Sequence, residues 1–311
     1  MVKIIKIFLF FSLLAAIATA RAAKYKGEVF TLFSDASSLS MGETGVSYIQ
    51  GINSIYWNPA TLEFVNNGFS VGHSEYYEGL VRVEHFAMVR QKGFKNIPLG
   101  LMLNYVHSRP VELTSLEDET LGVEEGNIKV TGSAAYSFVS LYLSGSFHIT
   151  GNLMAGINLK FSRENLYSMK EIGVGVDAAF YTEQGLFSYG FVIRDIIFSP
   201  FKKDTGYESV YPSFWLGCSA RLKRSRIVAE MEIHTDGKYE GAILSYRDFS
   251  GDVHLGMEYL LSRNISLRGG FSRGRITAGA GLNFSRFSVD YAIYPHTDLG
   301  LNHKITLTLW Y

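Results

Sequence analysis

The residues of this chain most able to do chemistry are charged side chains set at every second position of otherwise apolar stretches. This spacing places them on one face of each stretch, where both signs of charge are interleaved. We expect ion pairs on this face, and we predict that Glu258 and Arg268 lie near each other across a hairpin. Two roles stay open for it: bracing the surrounding structure, or lining the path of a substrate. The residues expected on it are Lys160, Asp177, Arg221, Glu230, Glu258, Arg268 and Asp290.

The sequence lacks arrangements that large enzyme classes need. It contains neither a phosphate-binding Gly-x-x-x-x-Gly-Lys-Ser/Thr loop nor a His-Glu-x-x-His zinc helix. Gly173-Val174-Gly175 resembles part of a dinucleotide fingerprint, but the alternation continues through it and predicts a strand. We interpret His296 and His303, which flank a turn, as ordinary loop histidines rather than as a metal pair. We therefore predict a protein that is not an enzyme and carries no cofactor or metal.

Composition narrows the class of protein further. Of 311 residues, 47% are hydrophobic and 19% are charged, and the formal net charge is zero. A disordered chain would be less apolar and a general nucleic-acid binder would be basic, so neither class fits. No Pro/Ser-rich or charged linker divides the chain, which favours one domain. The single Cys218 cannot form an internal disulfide, and its alternation with apolar neighbours predicts a small apolar residue.

Residues 1–20 are predicted to form a cleavable export signal. Lys3 and Lys6 give a positive start, residues 7–18 are apolar, and Ala18-Thr19-Ala20 matches a small-residue cleavage site. The alternative is an uncleaved membrane anchor, but the apolar stretch is shorter than the roughly 20 residues that a spanning helix needs.

A period of two runs through most of the remaining chain. In residues 252–261, apolar side chains at odd positions alternate with polar or small ones at even positions. Such a period indicates strands with two unlike faces, and we predict about fourteen strands of roughly nine to twelve residues, enough to cross a bilayer at a tilt. The same alternation recurs in residues 140–147, 152–162, 226–234, 265–272, 276–284 and 287–293.

The lengths of the predicted connections distinguish a membrane barrel from an exported soluble β-domain, which is the alternative. Tight turns are expected near residues 150–152, 183–185, 223–225, 262–263 and 285–286, whereas His107 to Gly126, Ile196 to Val210 and Asp236 to Ser250 are long. Placed in chain order, the long connections all fall at one end of the strands. Short periplasmic turns and longer outer loops are typical of outer-membrane barrels.

A barrel in the outer membrane of a diderm bacterium also explains the charged face. A basic side chain facing lipid at the bilayer midplane costs about 2 to 4 kcal/mol, so these charges must face an enclosed lumen. The chain ends in an alternating strand whose Leu307, Leu309 and Tyr311 resemble the insertion signal that barrel-assembly machinery reads. The expected partners are therefore that machinery and outer-membrane lipid, with no nucleic acid.

An irregular stretch precedes the first predicted strand, which begins near Gly68. It is apolar yet broken by turn residues, and its center is Tyr56, Trp57, Asn58, Pro59 and Ala60. The proline favours an extended backbone at Asn58. A barrel can supply hydrogen-bond partners to such a segment, so we predict that residues 21–67 form a hatch in the lumen of a barrel spanning residues 68–311.

Several short stretches, in the expected order along nearly the full chain, resemble the PorV/PorQ family, whose relatives include the FadL-type outer-membrane transporters. They are Ser40–Gly45, Ser54–Ala60, Gly156–Lys160, Gly175–Asp177, Gly256–Tyr259, Leu267–Phe271, Val289–Ala292, Asp298–Gly300 and His303. The resemblance implies fourteen strands and a hatch that contains Asn58, Pro59 and Ala60. Glu43 and Thr44 depart from the family's commoner pattern.

Two functions follow from this resemblance. The first, favoured by the sequence pattern, is a docking or shuttle component for secreted proteins in a type IX-like secretion system. The alternative is a FadL-like passive transporter of hydrophobic small molecules across the outer membrane.

Overall fold

The computed structural model describes residues 28–117, 127–167, 169–196, 200–203, 206–235, 242–247, 249–296 and 300–311. The predicted signal peptide and residues 21–27 of the predicted hatch lie outside this part of the chain. So do the predicted turn at 297–299 and portions of the long connections.

The alternating stretches form a closed antiparallel barrel of fourteen strands, which confirms the predicted fold class. In chain order the strands are β1 (Gly68–Tyr76), β2 (Val81–Arg90), β3 (Leu99–Ser108), β4 (Tyr136–Thr150), β5 (Leu153–Leu166), β6 (Met169–Gln184), β7 (Phe187–Arg194), β8 (Ser213–Arg221), β9 (Ser225–His234), β10 (Phe249–Leu260), β11 (Ile265–Ser272), β12 (Arg275–Asn283), β13 (Phe287–His296) and β14 (Gly300–Trp310).

Each strand pairs with its neighbours in sequence, and β1 pairs with β14 to close the wall. The closing register runs from Gly68 opposite Trp310 to Glu75 opposite His303. Closure leaves no open sheet edge, which is the requirement for a sheet whose outer face meets lipid.

Side chains alternate between the two faces of the wall as the sequence predicts. In β14, Asn302, Lys304 and Thr306 are buried inside, while Leu301 and Ile305 are exposed on the outer face. The polar inner face and apolar outer face of one strand thus follow directly from its period of two.

The long connections all leave from one end of the barrel, here called the long-connection end, which confirms the sequence prediction. The first contains a hairpin of Val111–Leu116 and Ile128–Ala134. The second contains Pro200–Lys203 paired with Gly206–Ser209, and the third contains Leu244–Tyr246. The predicted tight turns lie at the opposite, short-turn end.

The predicted strand length is exceeded in β4, β5 and β6, which have 15, 14 and 16 residues. Strand β6 continues beyond the end of β7 and pairs there with residues of Pro200–Lys203. The extra length of β6 therefore reflects sheet pairing supplied by a long connection, and the period of two alone does not predict where such a strand ends.

Residues 28–67, here called the lumenal segment, lie inside the barrel. The segment consists of short turns of helix: 3-10 turns at Glu28–Phe33, Gly51–Asn53 and Pro59–Phe64, and the helices α1 (Ala36–Ser40) and α2 (Ser54–Trp57). Asp35 caps α1 by accepting the N–H of Ser37 at 3.1 Å. Among the described residues, no helix is both long and apolar enough to cross a bilayer.

The hydrophobic core is formed largely by this segment rather than by the wall alone. Its largest fully buried side chains come mostly from the segment, with a few from inward wall positions. The segment members are Phe33, Leu39, Met41, Ile52, Ile55, Trp57 and Leu62. An irregular backbone is stable there because the wall supplies both apolar contacts and hydrogen-bond partners.

Candidate functional site

Hydrogen bonds made by the Asn-Pro-Ala stretch hold the middle of the lumenal segment in place. Asn58 has the extended backbone predicted from the following proline (φ −151°, ψ 95°), and Pro59 begins a 3-10 turn. The Asn58 side-chain oxygen accepts the N–H of Ala60 at 3.0 Å. Its Nδ2 donates to the carbonyls of Val46 at 2.7 Å and Phe180 of β6 at 3.1 Å. The position therefore needs a side chain that both donates and accepts.

Wall glycines allow the segment backbone to lie directly against the sheet. A Cβ at Gly156 would lie 2.3 Å from the Ala60 nitrogen, and one at Gly190 would lie 1.9 Å from the Val46 carbonyl oxygen. No side chain fits at such distances, so glycine is required for the close approach. Comparable contacts with the segment occur at Gly100, Gly256, Gly270 and Gly279.

Glu230 of β9 holds one stretch of the segment by four hydrogen bonds. Its Oε2 accepts the N–H groups of Gly45 at 2.9 Å and Val46 at 3.1 Å. Its Oε1 accepts the N–H of Ser47 at 2.8 Å and the hydroxyl of Ser47 at 2.7 Å. The residue is only 2% exposed. Hydrogen bonds to a buried carboxylate are strong, so Glu230 is the most concentrated polar anchor of the segment.

Further wall side chains bind the segment backbone from several strands around the barrel. These pairs are Asn158 Nδ2 to the Ile55 carbonyl at 2.9 Å, His254 Nδ1 to the Gly42 carbonyl at 3.0 Å, Lys304 Nζ to the Leu32 carbonyl at 3.0 Å, and the Ala36 N–H to Thr306 Oγ1 at 3.1 Å. The segment is thus a docked plug, with its backbone groups satisfied by the wall.

Two ion networks account for most of the predicted inward charges. Arg268 contacts Glu258 at 2.9 Å and Asp290 at 2.6 Å, which confirms the predicted cross-hairpin pair. Lys160 contacts Asp177 at 2.8 Å and Asp195 at 2.5 Å. These ion pairs join strands that are adjacent or separated by one strand, so the geometry favours bracing of the wall for the charges within them.

Arg221 and Glu230 belong to neither of these two ion networks. Arg221 is the last residue of β8 and lies at the short-turn rim, where its side chain is 59% exposed and 3.6 Å from Glu183. Arg221 therefore lies at the mouth of the lumen rather than within it, because it is the last residue of its strand. Glu230 faces inward as expected, but it binds the segment rather than another charge.

An aromatic cluster fills the lumen toward the long-connection end. Phe33 of the segment packs with its ring centroid 6.5 Å from Tyr56, and 6.1 and 6.4 Å from Phe138 and Tyr142 of β4. The Tyr56 hydroxyl donates to the Phe30 carbonyl at 2.9 Å. Burial raises the pKa of Tyr56, with Arg194 acting in the opposite direction, so the hydroxyl stays a neutral donor. The rings of this cluster are buried, and the Lys160 ammonium lies 5.1 Å from the ring center of Phe30 at its edge.

At the short-turn end a cleft separates the segment from β6 to β9. The cleft is small, and Tyr48, Ser188, Ser219, Arg221 and Arg226 are among its lining residues. The Ser188 and Ser219 hydroxyls donate to the Ser47 carbonyl at 2.6 and 3.3 Å. The stretch held by Glu230 therefore forms the inner end of this cleft.

Sequence reasoning missed several wall residues that contact the plug, among them Arg194, Trp215 and Lys304. Arg194 and Trp215 lie close to strand ends, beside a long connection, where alternation gives no firm assignment. Lys304 lies at an inward position of the final strand, and the alternation of polar and apolar residues there was enough to predict that it faces inward. The predicted insertion residues Leu307 and Leu309 lie on the outer face and Tyr311 is exposed beyond β14. Their role in insertion stays a prediction.

Two sequences match the Gly-x-Ser-x-Gly pattern of hydrolase nucleophiles, at residues 68–72 and 270–274. The first lies inside β1, and the second spans the end of β11 and the following turn. A nucleophile of that class requires a sharp turn from a strand into a helix, which neither position has. These matches therefore give no support to an enzyme.

Comparison with protein-family models and with curated proteins finds no match. Solved structures do match. The toluene transporter TodX of P. putida has a TM-score of 0.64 and 14% identity, over 89% of this chain and 98% of that one. The toluene transporter TbuX of Ralstonia pickettii has a TM-score of 0.61 and 13% identity, over 89% and 98%. The monoaromatic hydrocarbon channel CymD has a TM-score of 0.62 and 11% identity, over 93% and 99%.

The fold is that of the FadL-like barrels. At these identities the likeness concerns the fold alone. It agrees with the FadL-type part of the resemblance seen in the sequence, whereas the comparisons give no support to the PorV/PorQ part.

Proposed function

We propose that this chain is a passive outer-membrane channel for small hydrophobic molecules, with the lumenal segment as its plug. The observation that carries the proposal is the aromatic cluster of Phe33, Tyr56, Phe138 and Tyr142 inside the lumen. Barrels that pass water and ions have polar interiors. An aromatic interior instead favours apolar solutes, which gain free energy on leaving water.

The fold gives independent support. Toluene transporters and a monoaromatic hydrocarbon channel are among the solved structures that match over nearly their whole length. The docking function in secretion, which the sequence pattern favoured, gains no support from these comparisons, and the transporter alternative replaces it. An export signal at residues 1–20 and a position in the outer membrane are the setting that this function requires.

The geometry indicates where a solute would pass. The aromatic cluster lies toward the long-connection end, and the cleft lined by Tyr48 opens at the short-turn end. The stretch Gly45–Ser47, bound to Glu230, lies between the aromatic cluster and the cleft and blocks passage from one to the other. Passage along β7 to β9 therefore requires this stretch to leave Glu230, while the closed wall stays intact.

The test is uptake of labelled toluene through membranes whose outer leaflet is lipopolysaccharide. Such a leaflet is needed because apolar molecules cross a plain phospholipid bilayer unaided, which would hide the channel. We expect faster uptake with the inserted barrel than with protein-free membranes of the same composition. Equal uptake, with the barrel shown to be inserted by protease protection, would contradict the proposed function.

A further inference from the structure

A cationic and aromatic cluster lies beside the Asn-Pro-Ala stretch at the long-connection end. The guanidinium carbon of Arg194 is 4.5 Å from the ring center of Tyr56, 5.4 Å from that of Trp57 and 4.8 Å from that of Trp215. Arg194 Nη1 also donates to the Tyr56 hydroxyl at 3.2 Å. The two indole rings are 5.6 Å apart and nearly perpendicular. One arginine is thus surrounded by three aromatic rings.

Three N–H donors of this cluster are buried without an acceptor. Within the described ranges, Arg194 Nη2, Trp57 Nε1 and Trp215 Nε1 have no hydrogen-bond partner. Both tryptophans are almost completely enclosed, at 1% and 2% exposure. A buried donor left unsatisfied costs about 1 to 3 kcal/mol, so three in one place call for an acceptor from outside the chain.

The positive charge of Arg194 is also uncompensated by an ion pair in the described part of the chain. Arg226, Arg268 and Arg273 each have a carboxylate partner there. Glu232 is the carboxylate held by Arg273, at 2.7 Å. Arginine stays charged in proteins, so Arg194 presents a permanent cation with a free donor.

The cluster lies where a solute entering from the long-connection end would meet the plug. Arg194 is the last residue of β7, and Trp215 is the third residue of β8, both at that end. Arg194 as a whole residue is of intermediate exposure, whereas its Nη2 is buried together with the two indole N–H groups. Trp57 directly precedes Asn58, so the same cluster contacts the center of the plug.

We propose that this cluster binds a small aromatic carboxylate. A carboxylate supplies the acceptor oxygens that the guanidinium and the two indole donors lack, and guanidinium matches its planar geometry. The aromatic ring of the solute would pack among the rings already present. This inference rests on the proposed function and deepens it, because it gives an apolar channel a preference for aromatic molecules that carry an acid group.

Tryptophan fluorescence of the purified full-length barrel tests the proposal directly. The chain has three tryptophans, and replacing the distant Trp310 by Phe leaves emission only from the two in the cluster. Benzoate is the probe and toluene its matched partner, with a methyl group in place of the carboxylate. We expect benzoate to change the emission in a saturable way.

Two variants in the Trp310→Phe background locate the binding. Arg194→Gln should weaken benzoate binding by about tenfold or more, since hydrogen bonds to charged groups are the strong ones, while changing toluene binding little. Trp215→Phe keeps an aromatic ring and removes one donor, and benzoate binding, followed by the remaining Trp57 emission, should weaken less. Arg263→Gln, in an exposed turn at the short-turn end, removes the same charge and should leave benzoate binding unchanged.

The outcomes separate this proposal from the proposed function. No saturable response to benzoate in a folded barrel, or equal affinity in Arg194→Gln, would overturn the site and leave water as the partner of the three donors. Toluene uptake through lipopolysaccharide membranes is measured on the same protein. Uptake without benzoate binding would reject only the site, and benzoate binding without uptake would reject only the channel.

Discussion

Replacing Glu230 by glutamine should loosen the stretch Gly45–Ser47 without damaging the wall. The carboxylate accepts four hydrogen bonds from this stretch, two on each oxygen. Glutamine keeps one acceptor oxygen, and its NH₂ group presents donors where the second oxygen accepted. The substitution thus removes one acceptor oxygen, and with it two accepted hydrogen bonds, at nearly constant volume and shape.

The magnitude follows from these two lost bonds. A hydrogen bond to a charged group contributes about 1.5 to 3 kcal/mol, so the loss is at least about 3 kcal/mol. Each 1.4 kcal/mol is a factor of ten, so the local opening equilibrium of the stretch should rise by about a hundredfold or more.

Hydrogen–deuterium exchange followed by mass spectrometry measures that opening, because the amides of Gly45, Val46 and Ser47 are the donors concerned. Exchange should accelerate in peptides covering this stretch and stay slow in the wall strands. Glu258→Gln is the matched control, since Glu258 is a partly buried carboxylate bound to wall arginines. Unchanged exchange at Gly45–Ser47 in Glu230→Gln would refute the anchoring role assigned to the carboxylate.

Three further substitutions test the account. Gly190→Ala places a Cβ 1.9 Å from a plug carbonyl, so it should raise protease sensitivity of the plug, whereas Gly145→Ala, which meets only ordinary contacts, should not. Asn58→Asp removes both donated hydrogen bonds and adds a buried charge. We therefore expect amide hydrogen exchange to rise around residues 44–60. Unchanged protection of these amides would argue against Asn58 as a residue that holds the plug. Glu258→Gln weakens the contact with Arg268 and should lower the unfolding temperature of the barrel while toluene uptake persists; an unchanged temperature would show that the network does not brace the wall.

The wall could be predicted from the sequence because its determinants are local. A period of two sets each strand, a turn joins it to the next, and the register of a hairpin follows from that turn. Glu258 and Arg268 are ten residues apart on one hairpin, so the alternation alone is enough to pair them correctly. The position of Arg221 was not predictable in this way, since a strand end shifts by a residue or two without changing the alternation.

The plug's anchoring could not be predicted in the same way. Gly45 and Glu230 are 185 positions apart, and only closure of the barrel brings them together. The donors Trp57 and Trp215 lie on different parts of the chain, and nothing local marks them as neighbours. The glycines facing the plug were visible as small residues in strands, but which backbone each one admits depends on the path of an irregular segment.

On the proposed path, a hydrophobic solute passes only when the stretch Gly45–Ser47 moves away from the wall. A reversible cross-link tests it, using Ser47→Cys and Gly217→Cys with Cys218→Ala. An ideal Cβ at Gly217 would lie 2.8 Å from the Cβ of Ser47 and 2.9 Å from the Cγ of Glu230, whereas the Cβ atoms of a disulfide are about 3.5 to 4.5 Å apart. Both neighbours must therefore shift in this variant, and for that reason its oxidised and reduced states are compared with each other rather than with the unsubstituted chain.

Toluene uptake through lipopolysaccharide membranes is then measured on the same protein, oxidised and reduced. If passage requires movement of Gly45–Ser47, oxidation should stop toluene uptake and reduction should restore it. Equal uptake in the two states, with the cross-link shown to be complete by mass spectrometry, would contradict the account.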